Sequence, residues 1–183
     1  MRSVIVRTAS TFINALVRKG LPQGGGLSPI LWALIADSLL RWLTRQGVFA
    51  QGYADDGIAL VIGNVLPIIC DIMQRILNGI EKWCQQKQLS INPGKTEMIL
   101  FTRRYKPDDV KDIRFYGKTL MLTTQVKYLG VILDSKLSWK NHVEHKCRKA
   151  IVAFYQVRRC TGRLWGFSPK IVHWLYTMVV RPC

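Results

Sequence analysis

The spacing of apolar residues along the chain predicts helices separated by short strand-like runs. Apolar positions recur every three or four residues over residues 29–43, over residues 67–87 and twice more after Ser138, which is the period of an amphipathic helix. Ser28 followed by Pro29 predicts a helix start, with the serine as N-cap and the proline at the first helical position. We expect the helix over residues 29–43 to be buried.

β-Branched and aromatic residues predict short strands between these helices. Residues 4–7 and 12–17 predict a hairpin, and a turn at Gly117 predicts another. Residues 126–134 predict a single strand, in which Gly130 marks a bulge or a close backbone approach.

Two adjacent carboxylates interrupt this pattern. Asp55 and Asp56 follow Tyr53 and precede the apolar run 58–62, so the segment predicts two short strands that meet at an acidic turn. Crowded carboxylates repel unless a cation neutralises them, and a hard divalent cation such as Mg2+ takes oxygen ligands. The turn is therefore a candidate Mg2+ site for phosphoryl transfer. Because aspartate and glycine are common turn residues, a solvated turn is the alternative, which the tetrapeptide by itself favours.

Three consecutive glycines, at positions 24–26, precede the first predicted helix. Glycines leave backbone amides uncovered, so such a loop can let a nucleotide or a nucleic-acid backbone approach closely. A flexible connector is the alternative. The loop lacks the Lys-Ser/Thr ending of a P-loop and the G-x-G-x-x-G spacing of a dinucleotide fold.

The charge balance indicates a polyanionic partner. Lysine and arginine number 27 against 11 acidic residues, which gives a net charge of +16 on a chain whose 49% hydrophobic content is globular. Nucleic acid is the first candidate and an anionic membrane surface the alternative. Residues 138–183 hold nine lysines and arginines against one acid, which is half of the net charge. The helix after Ser138 also has an apolar stripe, formed by Trp139, Val143, Cys147, Ala150, Phe154 and Val157.

The five cysteines are odd in number and form no C-x-x-C pair, which predicts reduced, mostly buried thiols of an intracellular protein. We expect a location in the nucleus, the cytoplasm or both. His142, His145 and Cys147 lie close in sequence, but their spacing matches no zinc pattern. The most apolar helix, over residues 29–43, is too short to span a bilayer, so we expect no membrane partner.

Four stretches, in this order, resemble the reverse transcriptases of non-LTR retrotransposons. They are Leu21-Pro22-Gln23-Gly24, Tyr53-Ala54-Asp55-Asp56, the segment 89–96 that ends in Lys95-Thr96, and Lys127-Tyr128-Leu129-Gly130-Val131. The extension Asp134-Ser135-Lys136-Leu137-Ser138-Trp139 is similar to the family's step from the palm into the thumb. Each motif is weak by itself, whereas their order and spacing together are specific.

The resemblance implies both an architecture and an activity. It implies a mixed α/β (α+β) fold, with a partial polymerase palm over residues 1–136 whose antiparallel sheet has helices packed on one face. An all-helical thumb start would follow over residues 137–183. A member of this family is an RNA-directed DNA polymerase, which binds an RNA template, a DNA primer, deoxynucleoside triphosphates and two Mg2+ ions.

Roles for individual residues follow from the resemblance alone. Asp55 and Asp56 would bind the catalytic Mg2+ ions, and Lys95 would lie near the triphosphate and could protonate the leaving pyrophosphate. The residues that would contact template, primer or incoming nucleotide are Gln23, Gly24, Tyr53, Tyr128, Leu129 and Gly130. The basic helix after Ser138 would follow the duplex backbone.

One part of the family pattern has no counterpart in this sequence. The family has an earlier strand whose aspartate completes the metal site, but no acidic residue precedes Gly20, and the fingers region is missing. We therefore expect a fragment that does not polymerise by itself, with an unpaired edge beside the acidic hairpin and marginal stability. A basic nucleic-acid-binding remnant without catalysis and a metal-dependent nuclease are the two alternatives.

Overall fold

The helices and most of the strands occur in the order that the apolar pattern predicts. The structure, a computed structural model, describes residues 2–7, 12–17, 20, 24–104, 110–159, 162 and 165–182. The chain forms two units, Met1–Ser90 and Ile91–Cys183. The division into a palm over residues 1–136 and a thumb start over residues 137–183 stays a prediction.

The described part of the first unit contains two hairpins and two helices. Its elements are β1 (Arg2–Arg7), β2 (Phe12–Val17), α1 (Ser28–Arg45), β3 (Phe49–Tyr53), β4 (Asp56–Leu60) and α2 (Leu66–Lys87). Strands β1 and β2 pair antiparallel, which confirms the first predicted hairpin. Strands β3 and β4 form the second hairpin, and within the described residues neither pairs with a further strand.

Helix α1 begins one residue earlier than predicted. Leu27 takes the N-cap position and makes no side-chain cap bond, so the predicted cap at Ser28 is wrong. The physical reason lies in the preceding turn, because the Ser28 N–H donates to the Gly25 carbonyl at 3.1 Å. The glycine-rich loop therefore runs directly into the first helical turn.

Half of the residues of α1 are exposed and one is buried, so the prediction of a buried helix is wrong. Leu43 is its one buried residue, whereas Leu31 and Leu34 are 45% and 66% exposed. The apolar period identifies a face of the helix, but no described element covers the part of that face that carries Leu31 and Leu34. Leu40 and Trp42, nearer the end of α1, contact β3 and α2.

Helix α2 supplies most of the core of the first unit, and its bounds match the predicted residues 67–87 to within one residue. The buried apolar residues of this unit are Leu43, Val48, Leu66, Cys70, Ile76, Leu77, Ile80 and Cys84. Gly79 lets the Trp42 indole lie directly against the α2 backbone, because a Cβ at this position would overlap the indole ring. The Trp83 Nε1–H donates to the Ser38 hydroxyl at 3.0 Å, which is a second link between the two helices.

Among its described residues, the second unit contains six short strands followed by helices. Its elements are β5 (Met98–Ile99), β6 (Arg114–Phe115), β7 (Lys118–Thr119), β8 (Leu122–Thr123), β9 (Gln125–Tyr128), β10 (Val131–Asp134), α3 (Lys140–Arg159), α4 (Pro169–Leu175) and a terminal π-helical turn (Tyr176–Val180). Strands β5 and β8 pair in parallel, whereas β6–β7 and β9–β10 are antiparallel hairpins. The buried apolar residues of this unit are Ile113, Phe115, Leu120, Ala153 and Val180.

The prediction of one strand over residues 126–134 is wrong. Tyr128 lies opposite Val131, so the segment is a hairpin whose two-residue turn is Leu129 and Gly130. Both turn residues have positive φ, 47° and 83°, as a turn that follows the right-handed twist of its strands requires. What the sequence indicates as a bulge is therefore a complete chain reversal.

The mixed α/β class is confirmed. The described strands form five two-stranded pairs, four of them antiparallel. None of the described helices is long and apolar enough to cross a membrane.

Replacing Gly79 by alanine tests the packing of α1 on α2. Glycine is less favourable than alanine in a helix interior by about 1 kcal/mol. At a position with free space around it, this change would therefore raise the free energy of unfolding. Because the added Cβ would overlap the Trp42 ring, we expect Gly79→Ala instead to lower the free energy of unfolding, by about 1–3 kcal/mol. Urea unfolding measures the change, and Gln85→Ala, at an exposed position of α2, is the matched control. A more stable Gly79→Ala protein would contradict the packing.

Candidate active site and basic surface

The two carboxylates lie where β3 and β4 meet. Tyr53 pairs with Asp56, so Ala54 and Asp55 form a two-residue turn and Asp56 is the first residue of β4. Ala54 has a φ of 52°, which is uncommon for a residue with a Cβ. The predicted acidic turn between two strands is confirmed.

Helix α1 holds this turn in place. The Trp32 Nε1–H donates to the Ala54 carbonyl at 2.5 Å. Gly52 and Gly57 lie opposite each other in the hairpin, and the Leu40 side chain lies 3.7 Å from the position of a Cβ at Gly52. Sequence reasoning missed Trp32, although a tryptophan on a helix near a candidate turn offers an N–H that usually finds an acceptor.

The donor set of the turn fits part of a metal site. Asp55 and Asp56 are exposed, and neither carboxylate makes a hydrogen bond or an ion pair within the described residues. Both therefore offer free oxygens, the ligand type that Mg2+ prefers. No group of three His, Cys, Asp or Glu side chains in the described part of the chain could hold a metal, a finding that covers His142, His145 and Cys147 as well.

The glycine-rich loop is described only from Gly24 onward, and Gln23 lies outside the described residues. Gly24 has a φ of 82°, a conformation that few other residues adopt, and open space surrounds the position of its missing Cβ. The backbone of this loop is thus accessible.

In the second unit, Lys95 ends a tight turn. The Lys95 N–H donates to the Asn92 carbonyl at 3.1 Å, and the Asn92 side chain accepts from the Gly94 N–H at 2.8 Å. These bonds confirm the predicted turn at residues 92–94, and the Lys95 side chain is exposed.

Tyr128, Leu129 and Gly130 form the β9–β10 reversal. Leu129 adopts a left-handed conformation that suits asparagine or glycine, and its side chain is exposed at the tip of the hairpin. The Tyr128 hydroxyl is buried and has no hydrogen-bond partner within the described residues. Contact of these residues with a primer strand stays a prediction.

Asp134 organises the step from β10 into α3. Its carboxylate accepts hydrogen bonds from the backbone N–H groups of Lys136, Ser138 and Trp139 and from the Ser138 hydroxyl, all at 3.0–3.1 Å. Led by the bond from the Ser138 backbone, these contacts hold the pKa of Asp134 below its usual value of 3.8, although burial acts in the opposite direction. Leu137 and Trp139 have positive φ, which points these N–H groups at the carboxylate.

Helix α3 packs through a different face from the predicted one. Val143, Cys147 and Phe154 of the predicted apolar stripe are exposed, whereas Ala153 is buried. The reason is a contact with β10, because His142 Nδ1 accepts a hydrogen bond from the Ile132 N–H at 3.2 Å. This bond turns the histidine side of α3 toward the strands.

The basic side chains of α3 remain largely accessible to solvent. Those that are exposed are Lys140, Arg148, Lys149, Arg158 and Arg159, and Lys146 is half-buried. Glu144 is the one acidic residue of the helix. Helix α3 therefore presents a surface of strongly positive charge.

Comparison with known proteins gives a consistent result. Residues 5–133 match the model of the family "Reverse transcriptase (RNA-dependent DNA polymerase)". Among curated relatives, the RNA-directed DNA polymerase from mobile element jockey of Drosophila funebris is 30% identical over 96% of this chain and 19% of its own length. A retrovirus-related Pol polyprotein from type-1 retrotransposable element R1 of Bradysia coprophila is 25% identical over 91% of this chain and 17% of its own length.

A third relative, the probable RNA-directed DNA polymerase from transposon BS of Drosophila melanogaster, is 26% identical over 99% of this chain and 21% of its own length. The chain thus spans about a fifth of the length of these relatives. No solved structure matches it. The resemblance to reverse transcriptases of non-LTR retrotransposons is confirmed.

The predicted site residues fall in both units. The first unit contains Gly24, Tyr53, Asp55 and Asp56. In this unit the Trp32 Nε1–H on α1 donates a hydrogen bond to Ala54 in the acidic turn. The others belong to the second unit and are Lys95, Tyr128, Leu129 and Gly130. Their individual roles stay predictions.

Replacing Trp32 by phenylalanine tests how the acidic turn is held. The change removes the donor to Ala54 and keeps an aromatic ring, so we expect a loss of about 1 kcal/mol in unfolding free energy. Amide hydrogen exchange should become faster over residues 54–57. Trp83→Phe, which removes the bond to Ser38 instead, should leave exchange at the turn unchanged. Equal exchange at the turn in both variants would contradict the role of Trp32.

Replacing Asp134 by asparagine tests the β10–α3 junction. A carboxyl whose folded-state pKa is lowered contributes stability that is complete above its unfolded pKa and is lost as pH falls through the folded value. Asp134→Asn should therefore lower the thermal midpoint at neutral pH and flatten its decline below about pH 4. Asp112→Asn, at an exposed position, is the control. If Asp134→Asn loses no stability at neutral pH, the carboxylate does not organise the junction.

Proposed function

Because the chain belongs to the reverse transcriptase family, we propose that it is the part of an RNA-directed DNA polymerase that carries the catalytic turn and the beginning of the nucleic-acid-binding thumb. The observation that carries this proposal is the β3–β4 hairpin, which presents Asp55 and Asp56 to solvent without a partner in the described residues. A solvated turn does not require its backbone to be anchored by a tryptophan, as Ala54 is.

Asp55 and Asp56 would hold two Mg2+ ions together with a further carboxylate. Bound metal would neutralise the negative charge that develops on the attacking primer hydroxyl and on the leaving pyrophosphate. Asp55, in the turn, would be the more direct ligand, and Asp56 would bind from the start of β4. Trp32 would keep both carboxylates positioned, because its hydrogen bond to the Ala54 carbonyl would hold the turn that carries them.

The remaining residues would bind the substrates. Gln23 and Gly24 would lie beside the template and the incoming deoxynucleoside triphosphate, with the open backbone at Gly24 permitting a close approach. Tyr53 would support the primer end, and Lys95 would lie near the triphosphate. The RNA template and the DNA primer would be the partners of the β9–β10 reversal and of the basic surface of α3. Such a protein would act inside the cell, in the nucleus or cytoplasm.

The chain by itself would bind nucleic acid without extending a primer. The described residues contain no third carboxylate beside Asp55 and Asp56, and residues 1–19 contain no acidic residue at all. Loss of one group that stabilises charge in a transition state costs about a hundredfold to a thousandfold in rate. A metal-dependent nuclease remains the competing assignment for the same two carboxylates.

A chimera tests the proposed roles directly. We expect this chain, placed in the corresponding segment of the jockey polymerase, to support primer extension on an RNA template with Mg2+. In that chimera, Asp55→Asn should reduce the rate at least about a hundredfold, whereas Asp112→Asn should not. The isolated chain should bind the same template–primer in a salt-dependent way and extend nothing.

Three outcomes would contradict this assignment. Primer extension by the isolated chain would contradict the proposal that the chain is only part of a polymerase. Cleavage of the template instead of extension would favour the nuclease. Full activity of the Asp55→Asn chimera would show that Asp55 takes no part in catalysis.

A further inference from the structure

The first turn of α3 is bonded to both strands of the β9–β10 hairpin. His142 Nδ1 accepts a hydrogen bond from the Ile132 N–H of β10 at 3.2 Å. The Asn141 side-chain amide donates to the Gln125 side chain of β9 at 3.1 Å. Because the two bonds come from consecutive helix residues and end on different strands, they fix both the rotation of α3 and its distance from the hairpin.

Further bonds fix the loop between β10 and α3. The buried Asp134 carboxylate accepts hydrogen bonds from backbone and side-chain groups of residues 136–139. The Lys136 ammonium donates to the Thr102 and Arg104 carbonyls at 3.1 and 2.9 Å. A hinge absorbs its motion in a few residues whose backbone dihedral angles can change. A loop held at this many points does not act as one, so the hairpin and α3 move together.

The His142 imidazole is also held from the side of this loop. The Trp139 ring lies edge-on to it, with ring centroids 6.4 Å apart and ring planes at 75°. Trp139 in turn donates its backbone N–H to the Asp134 carboxylate at 3.1 Å. Contacts thus lead from Asp134, at the end of β10, through Trp139 and His142 back to Ile132 in the same strand. We call Asp134, Trp139 and His142 the junction residues.

The junction residues connect the two parts of this unit to which contacts with the primer and its duplex are assigned above. The reversal at Leu129 and Gly130 ends two residues before Ile132, and the exposed basic side chains of α3 begin at Lys140. Because both parts would hold the same primer, the angle between them would set where the primer end lies. A misplacement of about 1 Å can cost about a hundredfold in rate.

We propose that the junction residues position the primer end for nucleotide addition, by holding the β9–β10 reversal and α3 in one fixed arrangement. The inference rests on the proposed polymerase function and adds to it three residues that bind neither substrate nor metal. They are positioning residues, because they act through the reversal and the helix. The competing interpretation is a purely structural role, in which the same bonds stabilise the unit and leave the chemistry unaffected.

Two replacements of His142 separate these roles. Asparagine carries its side-chain oxygen on Cγ, the atom that also carries Nδ1 in histidine, so His142→Asn keeps an acceptor close to the Ile132 N–H. Glutamine carries its oxygen one bond further out, so His142→Gln loses this bond, although glutamine is the better helix former. Amide hydrogen exchange of the Ile132 N–H in the isolated chain should therefore be slow in the unaltered protein and in His142→Asn, and fast in His142→Gln.

Primer extension by the chimera with the jockey polymerase tests the proposal. At saturating nucleotide, we expect His142→Gln to lower the rate of single-nucleotide addition at least about tenfold, with an unchanged KM for the nucleotide. His142→Asn should restore most of the rate. His173→Leu, at an exposed position of α4, is the control and should have no effect. All variants are assayed well below their thermal midpoints, so that each is folded.

The affinity for template–primer separates positioning from binding. Neither replacement of His142 removes a lysine or an arginine, so the affinity measured by anisotropy and its salt dependence should stay the same. Asp134→Asn should lower the rate of addition in the same way as His142→Gln, because an amide cannot accept all the N–H groups that converge there. Asp112→Asn should leave the rate unchanged.

Three results would overturn the proposal. The first is an equal rate of addition in His142→Asn and His142→Gln. The second is a fall in template–primer affinity as large as the fall in rate, which would make the junction part of binding. The third is a loss of rate only at temperatures at which the variant unfolds, which would indicate a structural role. If the unaltered chimera extends no primer, the proposed function itself fails, and this inference fails with it.

Discussion

The contact between α1 and the β3–β4 hairpin is the interaction on which the candidate active site depends. A two-stranded hairpin is marginally stable in water, and within the described residues β3 and β4 have no further strand. The Trp32 bond to the Ala54 carbonyl and the Leu40 side chain over Gly52 replace the missing strand contacts with contacts to a helix. Helix α1 is fixed in turn by Trp42 against Gly79 and by Trp83 with Ser38.

In the second unit, several hydrogen bonds converge on one carboxylate. The Asp134 carboxylate accepts hydrogen bonds from backbone N–H groups of the loop that follows it. In the same loop, the Lys136 ammonium donates to the Thr102 and Arg104 carbonyls. A single residue at the end of β10 thereby fixes where α3 begins. The His142 bond to β10 then sets the rotation of α3 about its axis, and most of the basic side chains of the helix are left exposed to solvent.

The sequence was sufficient for features that depend on local chemistry. The acidic turn follows from carboxylates between glycines, the turn at Asn92 from its Pro-Gly continuation, and α2 from its apolar period. The Leu129 reversal was not predictable in the same way, because a leucine seldom occupies a left-handed turn position.

Features that depend on distant contacts could not be read from the pattern. In α3 the apolar period is compatible with two adjacent faces, and the choice between them is made by the His142–Ile132 bond. The exposure of Leu34 in α1 likewise reflects the lack of a covering element among the described residues. Trp32 carries no signal of its role until the fold brings it to Ala54.

We propose that Asp55 and Asp56 form the metal-binding part of this chain. Addition of Mn2+ as a paramagnetic substitute for Mg2+, followed by amide NMR, tests it most directly. We predict selective broadening of the signals of residues 54–57, lost in the Asp55→Asn, Asp56→Asn double variant. Broadening that is centred elsewhere, or that persists in the double variant, would contradict the claim.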